Sequence, residues 1–114
     1  MQRRTAVFLA RADETALRLA GSCALAAVAM GDRVDVFLFG DAVRAFLGEG
    51  EDPGGAARPL AEARSSGACR IFACSQSTVE ARVDLERAEA ALDAVVGWPT
   101  ILEWTRGVPD RFFF

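Results

Sequence analysis

Histidine and lysine are absent from this 114-residue chain, and asparagine is missing as well. Without histidine there is no Cys-His or Ser-His nucleophile pair and no imidazole ligand for a metal. Without lysine there is neither a Schiff-base amine nor the lysine of a Walker-type phosphate loop. All thirteen cationic side chains are therefore arginine. Three cysteines are too few for a disulfide framework, and none forms a C-x-x-C pair, which weakens zinc and thioredoxin-like readings; reduced thiols are expected. No apolar stretch nears the roughly 20 residues that cross a bilayer, and no long apolar region of a secretory signal follows Met1-Gln2-Arg3-Arg4. The expected address is the cytoplasm. The net charge is −3 with the arginines scattered, so neither nucleic acid nor an anionic membrane is an expected partner.

What is present reads as one domain spanning 1–114, of the α/β class. Thr-Ala-Val-Phe-Leu at 5–9 reads as a buried strand, and Asp13 supplies a cap for a helix over 14–30 that Gly31 stops. That helix is apolar nearly all round. A second strand over 33–39 ends at Gly40-Asp41 and leads to a short helix over 42–47. The acidic, breaker-rich stretch 48–55 reads as a lid or a solvated connection. A helix over 56–66 precedes a third strand over 69–73, and one helix or two short ones fit 77–92. A short strand at 93–96, a helix at 100–105 and a last strand at 111–114 complete the pattern. Five strands with intervening helices imply a mainly parallel sheet covered on both faces, a three-layer α/β/α sandwich.

The most informative residue is Cys74, where Ile71-Phe72-Ala73 gives way to Ser75-Gln76-Ser77. A strand end followed by a helix start puts the sulfur at the carboxyl end of the sheet, where open α/β sheets carry their binding crevice. Helix amides there would favour thiolate, the nucleophilic form, although free cysteine is also among the most buried residue types. Ser75, Gln76 and Ser77 are candidate hydrogen-bond donors to such a group, with helix capping as the structural alternative for the serines. Arg11 is the one cation expected near the same rim. Asp13 and Asp41 read as caps, and Trp98 and Trp104 as core or interface aromatics beside the last strand. Cys69 and Cys74 are five residues apart on one strand, about 16 Å and on opposite faces, too far for a disulfide. Cys23, about 15 Å along the first helix, is expected to be packed away from the crevice.

Taken in order, the small-residue-rich first helix ending Ala-Met-Gly31, the Val-Asp-Val-Phe-Leu-Phe-Gly strand, Cys-Ser-Gln-Ser, Val-Val-Gly97-Trp98 and Asp110-Arg111-Phe-Phe-Phe resemble the sulfur-relay domains of the DsrE, DsrF and TusD type. The resemblance implies a DsrEFH-like fold over the whole chain. It further implies a persulfide carried on Cys74, with Ser75, Gln76, Ser77 and Arg11 as substrate-binding candidates. No cofactor is expected, sulfur-donor and sulfur-acceptor proteins would be the partners, and assembly as a homo-oligomer, trimer or higher, is implied. The competing expectation is a non-catalytic oligomeric binding or scaffold protein of the same fold. Flavodoxin-like and receiver readings fit poorly: the loop after the first strand is acidic, and the third strand ends in cysteine where a phospho-acceptor aspartate belongs. A thiol peroxidase lacks a visible supporting arginine or second cysteine.

Overall fold

The computed structural model describes residues 2–48 and 55–114. Most of the stretch read as a lid or solvated connection, 49–54, lies outside the described residues.

Strands β1 (Arg4–Leu9), β2 (Arg33–Leu38), β3 (Cys69–Cys74), β4 (Ala94–Val96) and β5 (Asp110–Phe113) form one sheet in the order β4-β3-β2-β1-β5, parallel throughout. The helices are α1 (Glu14–Ala29), α2 (Asp41–Leu47), α3 (Arg58–Ser65), α4 (Ser75–Glu80), α5 (Leu85–Ala91) and α6 (Trp98–Thr105). From β1 to β4 the chain steps in one direction across the sheet, so right-handed crossovers put α1, α3 and α5 on one face. The return from β4 to the far side of β1 reverses direction and puts α6 on the other face. The expected three-layer sandwich follows from that single reversal.

Strand alternation sorts the core into two halves. Val7, Leu9, Val34, Val36, Leu38, Ile71 and Ala73 pack with the α1, α3 and α5 layer. Ala6, Phe37, Phe72, Cys74 and Val96 pack with Ile101 of α6 and with Val108. The second half is aromatic: Phe113, Phe8, Phe37 and Phe72 stack in sequence across the strands at centroid distances of 4.7, 5.4 and 5.5 Å. Eight residues of α6 span about 12 Å, whereas the five-stranded sheet is about 19 Å wide, so this face is covered only in part. Phe113 of the edge strand β5 is accordingly 71% exposed.

Asp13 caps α1 as expected, accepting from the Ala16 N–H at 3.0 Å. The helix buries one stripe, Ala16, Leu17, Ala20, Gly21, Ala24 and Ala27, rather than its whole circumference, and leaves Leu19 and Met30 to solvent. Between α4 and α5 the chain turns at Arg82, whose φ is 56°, and Asp84 starts α5 by accepting from Glu86 N–H. Two short helices, the second of the alternatives for 77–92, are therefore formed. The tryptophans also sit differently from the expectation. Trp104 packs on Phe72 of β3 and Trp98 stacks on Phe39 at the end of β2, because α6 crosses the middle of the sheet before the chain reaches β5.

One polar network centres on a buried carboxylate beside α6. Asp35 lies mid-strand in β2, on the α6 face, and accepts from Arg70 Nε at 3.0 Å and Arg4 Nη2 at 3.2 Å. Arg4 Nη2 also donates to the Trp104 carbonyl at 2.7 Å, tying the last turn of α6 to the sheet. Arg70 lies over the rings of Phe72 and Trp104 at 5.1 and 5.7 Å.

Candidate functional site

In an open α/β sheet the binding crevice forms at the carboxyl ends of two adjacent strands whose connections leave to opposite faces. Here those strands are β3, which leads into α4 on the α1 side, and β4, which leads into α6 on the other. Cys74 and Val96 are the last residues of the two strands and are partners in register. Topology thus places Cys74 at the switch point, a stronger statement than the strand-end position alone supports.

Locally, Cys74 is both the last residue of β3 and the N-cap of α4, with φ −68° and ψ 128°. The strand therefore runs one residue beyond the sequence expectation, and α4 starts at Ser75 without a spacer. The serines do not cap it, since no side-chain cap bond is present. The carbonyl of Cys74 accepts from Thr78 Oγ1 at 2.9 Å, a buried bond that fixes the strand-to-helix turn. Even residues of β3 face α6, so the Cys74 side chain enters the apolar half-core of Phe72, Val96 and Ile101 and is only 2% exposed. The expected open crevice at this sulfur is closed in the structure.

The other candidates distribute unevenly. Ser75 is half-buried, with its Oγ 3.5 Å from where a Cβ on Gly97 would sit, so it lies between the two strand ends. Gln76 is exposed and donates to Glu80 Oε1 at 3.0 Å, pointing along α4. Ser77 is half-buried in the same helix. Arg11 follows β1, separated from β3 by β2, and pairs in the open with Asp13 at 3.1 Å. Ser75 is brought beside Cys74 by sequence and topology alike; Arg11 is not.

The three thiols are free and differ in setting. Cys69 faces the opposite side of the sheet from Cys74, as the odd spacing requires, and is 3% exposed. Burial, with Asp35 and Asp93 nearby, pushes its thiol from the ordinary 9.0 up to about 12. Cys23, expected to be packed away, is instead half-buried at the edge of α1, and partial burial raises its pKa. It lines a cavity of about 310 Å³ with Thr5, Met30 and Phe112, toward the amino ends of the strands and away from Cys74. A cavity of about 340 Å³ between Arg64, Cys69 and Asp93 is likewise distant from the switch point.

Among the described residues no group of three histidine, cysteine, aspartate or glutamate side chains is placed to hold a metal, and no helix is long and apolar enough to cross a membrane. The residue the sequence reading undervalued is Trp98, whose ring stacks on Phe39 at 5.1 Å from the end of β4. Its signal was Gly97-Trp98-Pro99 directly after the strand adjacent to β3.

A family model described as the DsrE/DsrF-like family matches residues 4–106. Among solved structures, the crystal structure of the YchN protein from E. coli superposes with a TM-score of 0.67 at 19% identity, each chain covered in full, which shows the shared fold. A search of curated proteins returned no match.

Proposed function

Because the chain belongs to the DsrE/DsrF-like family, we propose that it is a persulfide sulfur carrier, or an accessory of a sulfurtransferase, that works through Cys74. The observation that carries this reading is the position of Cys74 at the carboxyl end of β3, on the switch point of the sheet. In the proposed cycle the Cys74 thiolate attacks the outer sulfur of a donor persulfide. A new S–S bond forms at Cys74, and the donor leaves as its thiolate. An acceptor nucleophile then attacks the terminal sulfur and Cys74 departs as thiolate, so the exchange balances without an outside oxidant or reductant. Ser75 is the neighbour best placed to donate to the terminal sulfur. Donor and acceptor are proteins in this reading, and the reducing cytoplasm suits three unpaired thiols.

The test is intact-mass analysis after exposure to a persulfide donor. Wild type should gain about 32 Da, one sulfur, lost again on reduction, and Cys74→Ser should gain nothing while keeping its fold. Wild type that stays unmodified under conditions that load a control carrier would refute the reading. The 2% exposure of Cys74 favours a second one, a scaffold of the same fold whose cysteine only packs, and that outcome would select it.

Either reading goes with self-association. Phe113 of β5 and Leu102 and Trp98 of α6 are exposed large apolar side chains that pairing with further copies would remove from water. We expect a trimer or higher closed assembly with the Cys74 end near a subunit boundary. Light scattering at micromolar concentration checks this, and a stable 12.2 kDa monomer would contradict it.

A further inference from the structure

We infer that Trp98 is the cover over Cys74, and that it decides which sulfur reagents reach the thiol and when. The inference rests on the reading of Cys74 as the working sulfur and deepens it by naming the residue that controls access.

Three observations converge. Cys74 ends its strand at the rim of the sheet, where side chains are ordinarily wet, yet is 2% exposed. On the same face its register partner is Val96 of β4, and Phe39 follows Leu38, whose partner is Ala73, so Phe39 continues the row on the β2 side. The Trp98 ring leaves the chain two residues after Val96 and stacks on Phe39, with centroids 5.1 Å apart and planes inclined by 23°. Since β3 lies between β2 and β4, a ring that leaves the chain two residues beyond β4 and rests on the residue just after β2 is directed across the end of β3. That end is Cys74. Ile101, one turn further along α6, belongs to the same buried cluster and closes the site from the side of the sheet centre.

The cover is a single ring deep. Trp98 is 46% exposed, so solvent lies on its outer side. It is the first residue of α6, after Gly97, rather than part of the helix interior. Trp104 makes a useful contrast: it is held by Phe72 at 5.0 Å and by the Arg70 guanidinium at 5.7 Å. Loss of one ring stack changes an opening equilibrium by roughly two- to tenfold. The ring therefore suits a residue that shields a bound sulfur from small reductants and yields to a partner docked at the rim.

The test is timed alkylation of the native full-length chain with a small reagent, iodoacetamide, and a bulky one, a fluorescein maleimide, followed by peptide mapping. Rates are normalised to a short unfolded cysteine peptide. Wild-type Cys74 should discriminate against the bulky reagent. Trp98→Ala should raise Cys74 labelling by roughly two- to tenfold and abolish the discrimination, whereas Trp98→Phe, which keeps a ring on Phe39, should stay close to wild type. Cys69, buried on the opposite face, is the internal control: its labelling should not follow. Wild type that shows no size discrimination overturns the inference without need of any variant. Unchanged Cys74 rates in Trp98→Ala overturn it too, as does a parallel rise at Cys69, which would mean general loosening. Sulfur loading is scored separately: if neither wild type nor Trp98→Ala takes up sulfur, the carrier reading fails while the cover stands on the alkylation data.

Discussion

Replacing Gly21 by alanine should destabilise the protein even though alanine is the better helix former. In the interior of α1 the exchange alone is worth about 1 kcal/mol in favour of alanine. The new Cβ, however, would sit 2.5 Å from Pro59 Cβ and 3.0 Å from the Leu60 nitrogen. Comfortable carbon-carbon contact needs roughly 3.5–4.0 Å, so α1 and α3 would have to part by about 1 Å or more. Neither neighbour can step aside, because one atom belongs to a proline ring and the other to backbone. Overpacking of this kind costs about 1–3 kcal/mol, and separating the helices also loosens contacts of Ala20, Ala24 and Leu60, all fully buried. With the cost at the upper end of that range, the net loss is about 1–2 kcal/mol. For a domain of this size that is a fall in Tm of roughly 4–8 °C. Urea unfolding followed by far-ultraviolet circular dichroism measures it directly. A Gly21→Ala midpoint at or above wild type, with unchanged m value, would refute the close-packing argument.

Asp35→Asn keeps the shape of the buried carboxylate but removes the charge facing Arg4 and Arg70; the arginines are about 40% exposed and partly rehydrate, so a loss of about 1–2 kcal/mol is expected in the same assay. A variant as stable as wild type would mean that the pairing contributes shape and not charge. The Cys69 thiol holds its proton more tightly in the folded chain than in the unfolded one, so its contribution to stability is complete below pH 9 and is lost as pH rises toward about 12. With no lysine or tyrosine in the chain, few other groups titrate in that window. Cys69→Ala should therefore flatten the alkaline decline, and parallel wild-type and variant curves from pH 9 upward would count against this origin.

The central strands were legible because a parallel sheet buried on both faces demands continuous apolar runs, and 5–9, 33–39 and 69–73 supply them within a residue of the observed ends. Capping was as direct at Asp13, which is followed by a helical pattern and accepts where an N-cap should, but not at Asp41, which is the first residue of α2 behind the N-cap Gly40, nor at the serines of α4. Asp35 was harder to interpret. Within Val-Asp-Val-Phe-Leu a single carboxylate reads as a strand exception, and only the register that sets it between Ala6 and Arg70 shows that it anchors two arginines. Composition likewise overstated α1. Its apolar residues surround the helix, but the layer needs only the stripe that meets the sheet and α3, and Leu19 and Met30 remain in water.

At the candidate site the sequence located the atom but not its surroundings. The strand-to-helix change at Cys74 is a local signal, written in neighbouring residues. Its exposure is a non-local quantity, decided by where β4 and α6 arrive, and those are some twenty residues downstream. Parity supplies part of the missing link: residues 70, 72 and 74 must share a face, and Arg70 and Phe72 are covered by Trp104 of α6. Cys74 is therefore also on the face that the reversed connection covers. An edge strand as short as β4 sets Gly97 and Trp98 beside the end of β3 with almost no freedom in between. The chain thus places its candidate nucleophile and one of its two tryptophans at one strand boundary, an arrangement that ties the chemistry proposed for Cys74 to the cover proposed for Trp98.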